Sequence, residues 1–252
     1  MNTRNYTERR MAILRKLGES KKIKVTDLAQ EFGVSEVTIR SDLDILEERG
    51  LLVRVNGGAK ASGPSGEVAA IPVLGRSRIR QAEKRAIGKA AASFIEEGDT
   101  IIIDAGTTTM EIARNLARFK NLTIITNGID IAAQLVGYEK FKVIVLGGYM
   151  TPDSLSTMGG IAESTLRNYY VDKLFIGVDS FNLDKGITTP DVEEAALIRT
   201  MLNCANRKIA VFDSSKIDKQ NFAFISGIGS LDMIITDNGM SFLITAFTLS
   251  IR

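Results

Sequence analysis

Beyond residue 95 the chain repeats one construction: a short β-branched run, a polar or glycine-rich stretch, then a helical pattern. That alternation is the signature of βαβ units, so it commits the region to an α/β fold around a mainly parallel sheet. The candidate strands are Thr100–Ile103, Thr123–Thr126, Val143–Leu146, Lys173–Gly177, Ile209–Phe212 and Met233–Thr236, preceded by a basic amphipathic helix from about Gln81 to Ile95. The stretches that follow them read "DAGTTT", "TNG", "GGYM", "GVDS", "DSSK" and "TDNG". One polar turn is ordinary, but this succession gathers hydroxyls, amides and charges at the carboxyl edge of the sheet. Open parallel sheets bind their ligands there.

The first of these junctions, "IIIDAGTTTMEIARNLARF", carries the most chemistry. Threonines are poor in helix interiors but useful in a first turn, where hydroxyls replace missing backbone partners. Gly106 lets the backbone come close to a ligand, and Thr107, Thr108 and Thr109 add donors where a helix start favours negative charge. The junction therefore reads as an anion holder. The neighbouring Asp104 would repel an anion and is better suited to hydroxyls.

Composition removes several alternatives. The chain has no histidine, which excludes His-based triads, imidazole bases and most zinc sites. Acid–base work would fall to Asp, Glu, Lys or Tyr. Its single Cys204 lies in a helical pattern, reads as a small core residue, and offers neither a disulfide framework nor a thiolate cluster. No apolar run reaches the roughly 18 residues of a membrane span, and the N-terminus has no signal-peptide core. The expectation is a cytoplasmic protein without metal or cofactor.

A stretch rich in Gly, Pro, Ser and Ala, Ala61 to Gly75, reads as a linker and divides the chain into residues 1–60, 61–75 and 76–252. The head carries 12 Lys+Arg against 9 Asp+Glu, a net +3, while the remainder is −1. Three helices and a hairpin are expected in it: about Thr7–Leu17, Val25–Phe32 and a third helix ending near Arg49. Gly33 in "FGVS" suits a tight helix-to-helix corner, and Ser35 has N-cap chemistry. Ile39, Leu43 and Leu46 share the inward face. Glu36, Val37, Thr38, Arg40 and Ser41 are left exposed near the start of the third helix, where a recognition helix presents side chains to bases. Arg40 suits guanine O6 and N7. "GLLVRVNGGAK" supplies a wing, with Arg54 and Lys60 available to phosphates. A three-helix module with an ordinary solvated face satisfies the same spacing.

The head resembles the winged helix-turn-helix of DeoR-type bacterial repressors. "ERRMAILRKL" and "VTDLAQEFGVSEVTIRSDLDILEERGLLVRVNGGA" carry the resemblance, including T-I-R-x-D-L at Thr38 to Leu43, L-E-x-x-G at Leu46 to Gly50 and G-G-A at Gly57 to Ala59. The position after Arg40 is often basic in the family and is Ser41 here, a departure that bears on the operator sequence. From Arg76 to Gly239 the chain resembles the sensor domain of the same family, of the ribose-5-phosphate isomerase and coenzyme A transferase-like fold. "IIDAGTTT", "DKLFIGVDSFNLDKGITT", "EEA" and "DSSK" place it nearest the N-acetylgalactosamine and glucitol repressors.

What the resemblance implies is a repressor of a sugar or amino-sugar operon that binds operator DNA as a homodimer or homotetramer and releases it when a phosphorylated sugar binds. The phosphate would lie on Gly106 to Thr109, Asp104 and Asp179 would meet sugar hydroxyls, Glu194 and Lys216 would share that edge, and Asn127 would close one side. Each has a plainer reading. Asp104 and Asp213 can cap loops, Glu194 can be a first-turn helix carboxylate, and Lys216 a solvated lysine. Arg78, Lys84 and Lys89 read as a solvated helix face, with Lys84 also in reach of ligand or linker. A sugar-phosphate isomerase or deaminase with an appended helical domain is the alternative function. The tail "MSFLITAFTLSIR" departs from the family's polar helix and final strand, which would leave the sheet with an open edge.

Overall fold

The computed structural model describes residues 6–20, 22–48, 52–60, 79–151, 154–239 and 248–251. The proposed linker 61–75 and Arg78 lie outside the described residues. The chain forms two compact units, Met1–Gly75 and Arg76–Arg252.

The head consists of α1 (Tyr6–Ser20), β1 (Lys22–Lys24), α2 (Val25–Phe32), α3 (Glu36–Glu48), β2 (Val53–Val55) and β3 (Gly58–Lys60). Ile13, Leu14, Leu17, Leu28, Ile39, Leu43 and Leu46 belong to its core, so the inward face expected for the third helix is buried. Gly33 ends α2 at φ 62°, the left-handed region that favours glycine. The sequence pattern missed β1, because a single apolar Ile23 between two lysines carries no periodic signal. It exists through pairing: β3 lies between β1 and β2 in an antiparallel sheet. Gly58 makes room for it, since a Cβ there would sit 1.9 Å from the Ile23 carbonyl oxygen. The Asp of T-I-R-x-D-L, Asp42, is 2% exposed and accepts from Arg9 Nε at 2.5 Å and Arg10 Nε at 2.7 Å. This clamp holds α3 against α1 from beneath.

The second unit is a seven-stranded parallel sheet with helices on both faces. In chain order its elements are α4 (Gln81–Ala92), β4 (Thr100–Ile103), α5 (Thr109–Ala113), β5 (Thr123–Thr126), α6 (Ile129–Leu135), β6 (Lys142–Val145), a hairpin of β7 (Tyr149–Thr151) and β8 (Ser156–Met158), and α7 (Gly160–Leu166). There follow β9 (Val171–Gly177), β10 (Ser180–Asn182), β11 (Gly186–Thr189), α8 (Val192–Cys204), β12 (Ala205–Val211), β13 (Ala223–Ser226), β14 (Met233–Asp237) and β15 (Thr248–Ile251). The sheet order is β15-β14-β12-β9-β4-β5-β6, while β10, β11 and β13 form a small antiparallel sheet. On β4, Ile101 and Ile103 pack with Ile87 and Ile112, and Ile102 packs with the Ile198 and Met201 side. Burial on both faces is why the strand is β-branched without alternation.

Three expectations are corrected. The helical pattern after "TTT" yields only Thr109–Ala113, because the Asn115 amide turns back to the Glu111 carbonyl at 2.7 Å and ends the helix. Lys84 is 5% exposed and lies on the inner face of α4, so it does not belong to the solvated face that keeps Lys89. The tail leaves no open edge beside β14: Thr248–Ile251 pairs with Ile234 to Asp237 as a seventh parallel strand.

Candidate functional site

Two surfaces concentrate the expected residues. On the head, Ser35 caps α3, accepting from the Thr38 amide at 3.2 Å, and its hydroxyl meets the Thr38 hydroxyl at 2.9 Å. Arg40 is paired with Glu36 at 2.5 Å on an exposed face, a contact of the kind worth at most about 1 kcal/mol and readily exchanged for another partner. Val37 is 71% exposed, and Ser41 and Lys60 are exposed. Arg54 is placed differently from its neighbours. Its guanidinium pairs with Asp44 and donates to the Arg40 carbonyl at 3.2 Å, so it ties the wing to α3.

Sequence reasoning missed two members of the wing surface, Lys22 and Lys24. Both are exposed on β1, and Lys22 stands directly opposite Lys60 in the register. Like charges in that position repel across an antiparallel pair and are relieved by an anion lying over them.

The second surface follows from the strand order. The chain builds β4, β5 and β6 outward in one direction, then returns to add β9, β12 and β14 on the other side of β4. The carboxyl ends of β4 and β9 therefore flank the topological switch point, where a crevice opens in sheets of this type. From β4 come Asp104 and the Gly106–Thr109 loop, and from β9 comes Asp179. The Asp104 carboxylate accepts from the Gly177 amide at 3.3 Å, bridging the two strand ends. Asn127, at the end of β5, is 4% exposed and accepts from the Ala105 amide at 2.9 Å, which fixes the loop. Thr109 is fully buried and donates to the Gly106 carbonyl at 2.9 Å, so its hydroxyl shapes the loop from within. Among the described residues the amides of Gly106, Thr107 and Thr108, the Thr108 hydroxyl and the Asn127 amide nitrogen have no protein partner. These are donors at one mouth.

Charged groups gather around Asp104. Asp191 caps α8 by accepting from the Glu193 and Glu194 amides at 2.8 and 3.0 Å, which sets Glu194 in the first turn. Thr189 donates to the Glu194 carboxylate. Lys216, on the short 3-10 turn capped by Asp213, lies 3.6 Å from Asp179. Burial pushes the Asp104 carboxyl well above the usual carboxylate range; the Glu194 charge adds to this, as Asp179 does more weakly, and the Gly177 and Ala105 amides oppose it. The expected effector residues thus converge from five parts of the chain. No group of three or more Cys, Asp or Glu side chains suited to a metal ion occurs among the described residues.

Arg80 was also missed. It adopts φ 52° just before α4 and reaches Asp213 at 3.5 Å, Asp237 at 3.3 Å and Glu83 at 3.2 Å. Burial raises the Asp237 carboxyl, but the Ser214 hydroxyl, the Gly239 and Ser214 amides and Arg80 outweigh it and leave the group below its usual value. Arg80 so connects the start of the unit to the loop that carries Lys216. Lone arginines give no sequence signal for this role.

Comparison with known proteins finds a family match for each unit. Residues 9–64 match the DeoR-like helix-turn-helix domain, and residues 79–238 match the DeoR C terminal sensor domain. A protein of Escherichia coli O157:H7 named as an aga operon transcriptional repressor is 38% identical over 93% of this chain and 87% of its own length. The transcriptional repressor AccR of Agrobacterium fabrum is 35% identical over 98% and 96%, and the regulator GolR of Listeria innocua 32% over 92% and 90%. Among solved structures, ribose 5-phosphate isomerase A of Methanocaldococcus jannaschii aligns over 56% of each chain at 17% identity and a TM-score of 0.41.

Proposed function

The chain belongs to the DeoR family of helix-turn-helix transcriptional regulators, and from that premise we propose that it represses a sugar or amino-sugar catabolic operon in the cytoplasm, leaving its operator when a phosphorylated sugar fills the crevice between β4 and β9. In this reading α3 enters the major groove, with Glu36, Val37, Thr38, Arg40 and Ser41 at base edges behind the Ser35 cap. Lys60, Lys22 and Lys24 meet phosphates, and Arg54 braces the wing. Two copies, alone or paired as a tetramer, occupy two half-sites.

The observation that carries the effector reading is the division of the crevice into free donors and clustered acceptors. The amides of Gly106 to Thr108 and the Thr108 hydroxyl suit a phosphate. The five-residue α5 adds little dipole, so the loop's own N–H groups do most of the holding. Asp104, Asp179, Glu194 and Lys216 suit the hydroxyls of a sugar, and Asn127 keeps the loop in shape. The ligand is bound and released unchanged. The relatives' names speak of regulation, and the head gives a binding event something to control.

The test uses the full chain and an operator duplex selected from random DNA. A panel of sugar phosphates, the parent sugars and inorganic phosphate is titrated against the complex. One sugar phosphate is expected to weaken operator binding by about 5–150-fold, the usual span of allosteric coupling, while the unphosphorylated sugar and inorganic phosphate leave it intact. NMR of the bound ligand should show no conversion. Multiple turnovers abolished by Glu194→Gln would replace this reading with a sugar-phosphate isomerase or deaminase.

A further inference from the structure

The face of α3 that the DNA reading presents to bases has most of its polar chemistry already engaged. Ser35 and Thr38 share a hydroxyl contact at 2.9 Å, and Glu36 and Arg40 are paired at 2.5 Å. One turn on, Asp44 is held by Arg54. Along the stripe Val37, Ser41 and Asp44, the groups without an intramolecular partner among the described residues are the Ser41 hydroxyl and the two methyls of Val37. A single exposed valine is ordinary on a protein surface. Here it is 71% exposed in the first turn of the helix whose opposite face, Ile39, Leu43 and Leu46, is wholly committed to the core. Valine is also a costly residue at an exposed helical position compared with alanine, so its methyls are retained at some expense to the helix.

We infer that Val37 reads the 5-methyl group of a thymine in each half-site. This rests on α3 being the DNA-contacting helix. The major groove presents one apolar feature, the thymine methyl, and an aliphatic side chain near the start of a recognition helix is the complementary surface. The contact selects a T·A pair at one position and does so without a hydrogen bond, so it is insensitive to salt.

The experiment begins with the sequence that the full wild-type chain selects from a random duplex library. Each thymine of a half-site is then replaced in turn by uracil, which deletes the methyl and keeps every hydrogen-bonding group. Fluorescence anisotropy should find one position per half-site where uracil weakens wild-type binding by about fourfold, the equivalent of one buried methyl at about 0.8 kcal/mol. Val37→Ala should bind the thymine and uracil duplexes alike. Alanine favours the helix, so a folding defect is not expected, and Val37→Ile, which keeps a branched apolar side chain, should preserve the discrimination. If no uracil position matters to the wild type, or if Val37→Ala retains the penalty, the inference is overturned. A wild-type chain that retains no duplex at all would overturn the DNA reading itself, an outcome separable from the other two.

Discussion

Asp104 shows how one carboxylate can be legible in type and illegible in behaviour. Its position after a buried strand and before a glycine marks it as a ligand group or a loop cap, and it serves as a bridge to the Gly177 amide across two strands. Its raised pKa comes from burial and from Glu194, neither of which is local in sequence. The sign of the consequence is definite. The folded group holds its proton more tightly than the unfolded one, whose pKa is about 3.9. The contribution of this group to stability is therefore fullest below that value, falls as pH rises toward the folded pKa, and is lost above it. Asp104→Asn keeps the acceptor for Gly177 and removes the charge, so its Tm at neutral pH should exceed that of the wild type while its response to the sugar phosphate disappears. Thermal melts from pH 4 to 8 check this; a variant less stable than the wild type at pH 7 would show that the ionised carboxylate is stabilising.

At the scale of the element, the wing sheet makes the most specific statement. Lys22 and Lys60 face each other because Gly58 lets β1 close on β3. If the pair lies over phosphate, replacing both lysines with alanine should flatten the slope of log K against log salt by about 1.8, or 0.9 for each released counterion. The sequence selected from random duplex should not change, since phosphate contacts position the protein without reading bases. An unchanged slope would place these lysines off the DNA. The Asp42 clamp offers a contrasting case. Asp42→Ala removes one buried carboxylate from the Arg9 and Arg10 cluster, and should lower the denaturation midpoint of the head.

At the scale of the molecule, the question is whether crevice and operator are linked. Thr108 is 92% buried in the loop at the switch point, with its hydroxyl free toward the proposed phosphate. Thr108→Glu puts a carboxylate where an anion is to sit. The expected outcome is a repressor with normal operator affinity that no sugar phosphate can release. Operator affinity with and without ligand, for both proteins, decides it: a mutant released at the wild-type ligand concentration would move the phosphate elsewhere.

The sequence by itself determined the elements whose reasons are local. The β-branched run Ile101–Ile103, the left-handed glycine at Gly33, the Ser35 cap and the Ile39, Leu43 and Leu46 face all follow from backbone preference and periodicity, and the structure has them in place. The candidate site residues were legible as a set of polar strand ends, and by resemblance as a family pattern, but their spacing could not say which would meet. Tertiary structure decided that β9 adds beside β4 and so sets the topological switch point there, that Lys84 turns inward, that Arg54 braces α3, and that Thr248–Ile251 closes the sheet beside β14. Each of these depends on a partner brought from far along the chain. A hydrophobic pattern records that a face is buried; what buries it is settled only when the strands have chosen their neighbours.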